Sequence, residues 1–110
     1  MDKIYKLTLD DGERLIAVGK ALSSDVRIRI LKLLCTYKLN INEIAEKLEI
    51  PASSAAVNIK VLEEAGLIGT EVAAGVRGAA KLCYKTASEL NILLSTEDTG
   101  IPESRQCFTS

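Results

Sequence analysis

Apolar positions along the chain recur first at every second residue, then at helical intervals, then at every second residue again. Tyr5, Leu7 and Leu9 alternate with Lys6 and Thr8, which predicts a short strand near the N-terminus. Asp10 followed by Glu13 is a capping-box spacing, and Leu15, Val18 and Leu22 then share one helical face, so residues 11–22 read as a helix. Ser23 and Ser24 can end it and cap the next. The stretch Asp25-Val26-Arg27-Ile28-Arg29-Ile30 alternates like a strand, but Leu31, Leu33, Leu34 and Cys35 break the alternation. Val26, Ile30, Leu33 and Leu34 share a helical face, and with the serine cap this favours a helix over residues 25–36. Asn40 with Glu43 is a second capping box, and Ile41, Ile44, Ala45 and Leu48 follow at i, i+3, i+4 and i+7, a helix of about two turns. After Pro51 a longer helix runs from Ser53 to Ala65, with Ala55, Ile59 and Leu62 inward and Gly66 placed to stop it in a left-handed cap.

The pattern then returns to extended chain. A strand is expected from Leu67 to about Ala73, a turn at Gly75-Val76-Arg77-Gly78, and a returning strand from Ala79 to Lys85. Thr86 to Glu89 has capping-box spacing and precedes Leu90, Leu93 and Leu94, read as a short apolar helix. Residues 95–110 carry Gly100, Pro102 and the acids Glu97, Asp98 and Glu103, and read as a polar tail or linker after a domain spanning 1–94. The fold class is mainly α with a small β-hairpin: about five helices, a two-stranded wing and a short N-terminal strand.

Composition narrows the function classes. With 110 residues, 47% hydrophobic and 26% charged, the chain can bury one core and form one domain. Its apolar runs are too short to span a bilayer, and Met1-Asp2-Lys3-Ile4-Tyr5-Lys6 lacks an export segment, so a cytoplasmic protein without membrane association is expected. Cys35, Cys83 and Cys107 are widely spaced and form no CxxC, which gives neither a disulfide framework nor a zinc knuckle. Cys35 and Cys83 read as small core residues, with a redox pairing of two thiols as the alternative. Histidine is absent, which removes imidazole acid-base chemistry and the His-activated nucleophiles, so neither an enzyme nor a cofactor is expected.

The net charge of −1 hides a local imbalance. Residues 66–86, the hairpin, hold Arg77, Lys81 and Lys85 against Glu71 alone, while residues 87–110 hold Arg105 against four acids. Local basicity matters more than the total for binding a polyanion.

A two-turn helix, a tight turn and a longer helix make a helix-turn-helix, whose second helix can enter the DNA major groove, about 12 Å wide. Projected at 3.6 residues per turn, Ser53, Ala56, Val57 and Lys60 face outward, with Ala52, Ser54 and Asn58 at the start or flanks. Ser and Asn can bond phosphates or base edges, and Ala and Val can meet a thymine methyl. The face has no arginine, so modest affinity per helix is expected, with reliance on a second copy and on the hairpin. Arg77 at the turn reads as a phosphate or minor-groove contact and Lys81 as a supporting one; the bland alternative is a solvated hairpin. For Lys60 the alternative is a surface ion pair with Glu64.

The residues from Ala21 to Leu34, the stretch Asn42-Glu43-Ile44-Ala45-Glu46-Lys47-Leu48, and the stretch Asn58 to Ile68 resemble, in this order, the helices of ArsR-type winged helix-turn-helix repressors. The resemblance spans about residues 14–94. It implies a homodimer, double-stranded operator DNA, and an effector that releases it, whose identity the sequence does not reveal. It also implies that the first and last helices form the dimer interface, here through Leu15, Val18, Leu22, Leu90, Leu93 and Leu94. The family's metal-sensing Cys-Val-Cys stands here as Asn40-Ile41-Asn42, and its His-containing site has no counterpart, so no metal site is expected. The reading is a homodimeric repressor; the alternative is a winged helix used for protein contact or as the N-terminal module of a longer regulator.

Overall fold

In a computed structural model, residues 3–72 and 81–96 are described. The elements are β1 (Ile4–Thr8), α1 (Gly12–Leu22), α2 (Asp25–Leu33), α3 (Ile41–Leu48), α4 (Ala52–Glu64), β2 (Ile68–Val72), β3 (Lys81–Lys85) and β4 (Glu89–Leu93). Each boundary has a local cause. Ser24 Oγ accepts from Arg27 N–H at 3.3 Å and starts α2. Asn40 and Glu43 complete the reciprocal capping box of α3, at 2.8 and 2.9 Å. At the start of α1 the cap is Asp11, not Asp10, and its carboxylate turns back to accept Thr8 N–H at 2.8 Å, which fixes the corner between β1 and α1.

The end of α4 follows the sequence reading closely. Gly66 adopts φ +80°, its N–H donates to Glu63 O at 2.9 Å, and Leu67 N–H donates to Leu62 O at 3.1 Å. This pair of bonds is the Schellman arrangement, and it turns the chain straight into β2. Above Gly66, Tyr5 Oη donates to Ala65 O at 3.3 Å and accepts from Arg14 Nη1 at 2.9 Å.

β2 and β3 form an antiparallel hairpin with Thr70 opposite Cys83. Leu39 adds a bridge on the far side of β3, exchanging two backbone bonds with Cys83. The hairpin is thereby attached to the connection between α2 and α3. Ile30, Ile44, Ala55 and Leu62 are fully buried at the centre of the helices, and the inward stripe of α4 is the one expected.

The segment after the hairpin differs from expectation. Residues 89–93 form a strand, not a fifth helix, and pair in parallel with β1 in the register Ile4 to Glu89 through Thr8 to Leu93. Ser88 N–H and Oγ both donate to Lys3 O, so the expected helix cap starts a strand pairing. A helix this short does not hold on its own. An extended segment beside β1 satisfies the facing backbone groups of both strands. Among the described residues there are four helices. The turn at 75–78, Arg77 and the tail from 97 onward lie outside them.

Candidate nucleic-acid interface

The turn between α3 and α4 is made by Glu49, which takes the left-handed conformation at φ 59°, and by Pro51, which leads into α4. Ile50 N–H donates to Ala45 O at 3.0 Å and closes the end of α3. Ile44 and Ala45 belong to the same core as the inner side of α4, which leaves much of its outer side exposed among the described residues.

On that side Ala52, Ser53, Val57 and Lys60 are exposed, and Ser54, Ala56 and Asn58 are half-buried. Val57 is 64% exposed, a large apolar side chain in the middle of the helix that does not pack against the core among the described residues. Lys60 pairs with no carboxylate among the described residues, so the surface ion pair with Glu64 does not form. Between α4 and the hairpin lies a cleft of about 220 Å³, lined by Ala56, Lys60 and Glu63 on one side and by Thr70, Lys81 and Cys83 on the other. Two of the sequence-predicted cations, Lys60 and Lys81, therefore border one cleft. Cys83 is buried beneath it, and burial first, then the nearby Glu63 carboxylate, raises its thiol above the usual 9.0. Cys35 is exposed rather than in the core.

Asn58 differs from its neighbours. Its Oδ1 accepts from Arg27 Nη1 at 2.8 Å, and its Nδ2 donates to Ser54 O at 2.9 Å. Its amide is thus engaged within the protein rather than presented outward. Arg27 is the residue that sequence reading missed. The available signal was its place in the first turn of α2, where a cation meets the positive end of the helix and needs acceptors elsewhere.

The expected dimer residues also separate. Val18 is 1% exposed and belongs to the interior of the protomer, so it cannot face a second copy. Leu15 and Leu90 are half-buried and pack against the same core. Leu22, Leu93 and Leu94 are exposed, and so is Ile16, at 74%, which the sequence reading did not select. No helix among the described residues is long and apolar enough to cross a membrane.

Residues 24–70 match the model of the family described as bacterial regulatory protein, arsR family. An uncharacterized HTH-type transcriptional regulator of Methanocaldococcus jannaschii is 34% identical over 83 residues, covering 74% of this chain and 84% of that protein. Among solved structures, the homodimeric winged helix-turn-helix DNA-binding domain from Mycobacterium bovis superposes with a TM-score of 0.59 at 24% identity, over 68% of this chain and 66% of that one. NolR from Sinorhizobium fredii superposes with a TM-score of 0.60 at 15% identity, over 72% and 75% of the two chains. The structural likenesses establish the winged helix-turn-helix fold.

Proposed function

The chain belongs to the arsR family of bacterial regulatory proteins, and on that premise we propose that it is a homodimeric, sequence-specific DNA-binding repressor acting in the cytoplasm. The observation that carries this reading is the outer side of α4, with Val57 and Lys60 exposed and Lys81 of the hairpin across the same cleft. In this reading α4 enters the major groove. Ala52, Ser53, Ser54, Ala56 and Val57 meet base edges and thymine methyls, and Lys60 and Lys81 meet phosphates. The hairpin is the wing, and Arg77 adds a contact to phosphate or the minor groove.

A single α4 covers only a few base pairs. Two copies about 34 Å apart would read a near-palindrome one helical turn across. The dimer would be built on the exposed apolar side chains Ile16, Leu22, Leu93 and Leu94. Residues 1–94 would form this DNA-binding unit and 95–110 a tail.

The test is a mobility-shift titration against promoter DNA and a scrambled duplex at several salt concentrations, with Arg77→Ala and Ser53→Ala. Arg77→Ala should weaken both duplexes alike and lower the salt slope by about one per protomer. Ser53→Ala should weaken the operator more than the scrambled duplex. If Arg77→Ala changes neither affinity, the wing does not touch DNA, and a protein-contact role becomes the better reading.

A further inference from the structure

Arg27 has three acceptors, on two other helices. Its Nε donates to Ala21 O at 3.0 Å and its Nη2 to Lys20 O at 2.8 Å, both at the C-terminal end of α1. Its Nη1 donates to Asn58 Oδ1 at 2.8 Å, and Asn58 Nδ2 continues to Ser54 O at 2.9 Å. A chain of hydrogen bonds thus runs from the end of α1, through α2, to the first half of α4. The guanidinium is planar with its donors in fixed directions, so three acceptors on separate groups define its position.

The first half of α4 buries little side-chain volume. Its only buried side chain before Ile59 is Ala55, and the residues around it are Ala52, Ser53, Ser54 and Ala56. Small side chains give few contacts with which to fix the rotation of a helix about its axis. A full residue of roll, about 100°, would expose Ile59 and Leu62, so what the Arg27 link can set is the finer rotation within that limit, which decides how the outward side chains are presented.

We propose that Arg27 and Asn58 are a positioning pair that sets the roll of α4 relative to α1, and thereby decides how the α4 side chains meet base edges. This rests on the DNA-binding reading above. It reassigns Asn58 from a base reader to an internal support, and it makes sequence selectivity depend on α2, an element outside the helix-turn-helix. Because α1 carries the exposed Ile16, the pair also links the roll of α4 to the helix proposed to meet the second copy.

The experiment compares the unmodified protein with Arg27→Ala, Arg27→Lys, Asn58→Ala and the Arg27→Ala/Asn58→Ala double variant. Each is titrated with a duplex enriched from a random library by the unmodified protein, and with a scrambled duplex, at several salt concentrations. Circular dichroism fixes a temperature at which each variant is folded. Should Arg27→Ala not fold, Arg27→Lys and Asn58→Ala carry the test. The expected result is a loss of about tenfold in preference for the enriched duplex in each single variant, the scale of one charge-assisted hydrogen bond. The double variant should lose no more than either single one, because both break the same link. The salt slope should stay at its unmodified value. Arg27→Lys should behave as Arg27→Ala, since one ammonium cannot span three acceptors.

The proposal is overturned by unchanged selectivity, by additive losses, or by a salt slope lower by about one per protomer, which would mean a phosphate contact by Arg27 itself. Selectivity retained in Arg27→Lys but lost in Arg27→Ala would do the same, since charge alone would then suffice. If the unmodified protein enriches no duplex, the DNA-binding reading falls first and takes this one with it.

Discussion

Replacing Gly66 by alanine adds one methyl at the point where α4 stops, and the structure allows its cost to be worked out. Gly66 stands at φ +80°, where an L-residue is strained by about 1–2 kcal/mol. The new Cβ would lie 3.0 Å from Tyr5 Oη, closer than ordinary contact. That hydroxyl is held between Ala65 O and Arg14, so moving it weakens at least one hydrogen bond worth about 0.5–1.5 kcal/mol. Alanine restricts the unfolded chain and returns about 0.4–1 kcal/mol. The balance is a destabilisation of about 2 kcal/mol, or roughly 10 °C in Tm for a domain of this size. The same methyl at Gly19 meets nothing within 4 Å inside α1 and should stabilise by about 0.5–1 kcal/mol. Urea unfolding followed by circular dichroism, at one fixed protein concentration because association adds to stability, measures both. A Gly66→Ala midpoint at or above wild type with an unchanged slope would refute the reasoning, since neither the left-handed stop nor the Tyr5 contact would then matter.

Ile16→Glu should leave the protomer folded and shift sedimentation toward monomer, whereas Val18→Ala should cost about 2 kcal/mol of stability by emptying part of the core. Asn40→Ala removes the side-chain acceptor of Glu43 N–H at the start of α3, leaving the backbone N–H of residue 40 on Glu43, and should cost about 1 kcal/mol in urea unfolding. At pH 8 a thiol reagent should modify the exposed Cys35 rapidly and the buried Cys83 only as fast as the domain opens. The Cys83 thiol is raised above 9.0 by burial. Its protonated form therefore favours the folded state, a contribution complete below pH 9 and lost as the pH rises through the folded value. Between pH 8 and 10.5 the wild type should accordingly lose more stability than Cys83→Ala, read from urea midpoints.

The parts of this fold that were legible in the sequence are those fixed by near neighbours. The box at Asn40 and Glu43, the stripe Ala55, Ile59 and Leu62, and the stop at Gly66 each act within one or two helical turns, and all stand where the pattern put them. The segment 89–93 was misread because its partner, β1, is remote in the chain, and a leucine-rich run carries no local mark of that partner. The stripe Leu15, Val18 and Leu22 had the right period, but packing of α1 against α4 buries Val18 and Ala21 and leaves Ile16 outward. Periodicity gives the existence of a face, and tertiary contacts choose its direction. Asn58 was legible as a flank residue of α4 but not as half of a pair, since Arg27 is thirty-one positions away.

The parallel pairing of β1 with β4 has a consequence for the order in which the chain assembles. Lys3 and Ser88 meet across a separation of 85 residues. Closing so long a loop in an unfolded chain costs on the order of 4 kcal/mol before any strand bond is gained. That cost falls only after the helices and the hairpin have collapsed and brought the two segments near each other. The pair should therefore form late, and weakening it should speed unfolding more than it slows folding, which stopped-flow urea jumps would read. Neither strand keeps its partner when the other leaves, so their amides exchange with solvent as one unit, below the free energy needed to open α4.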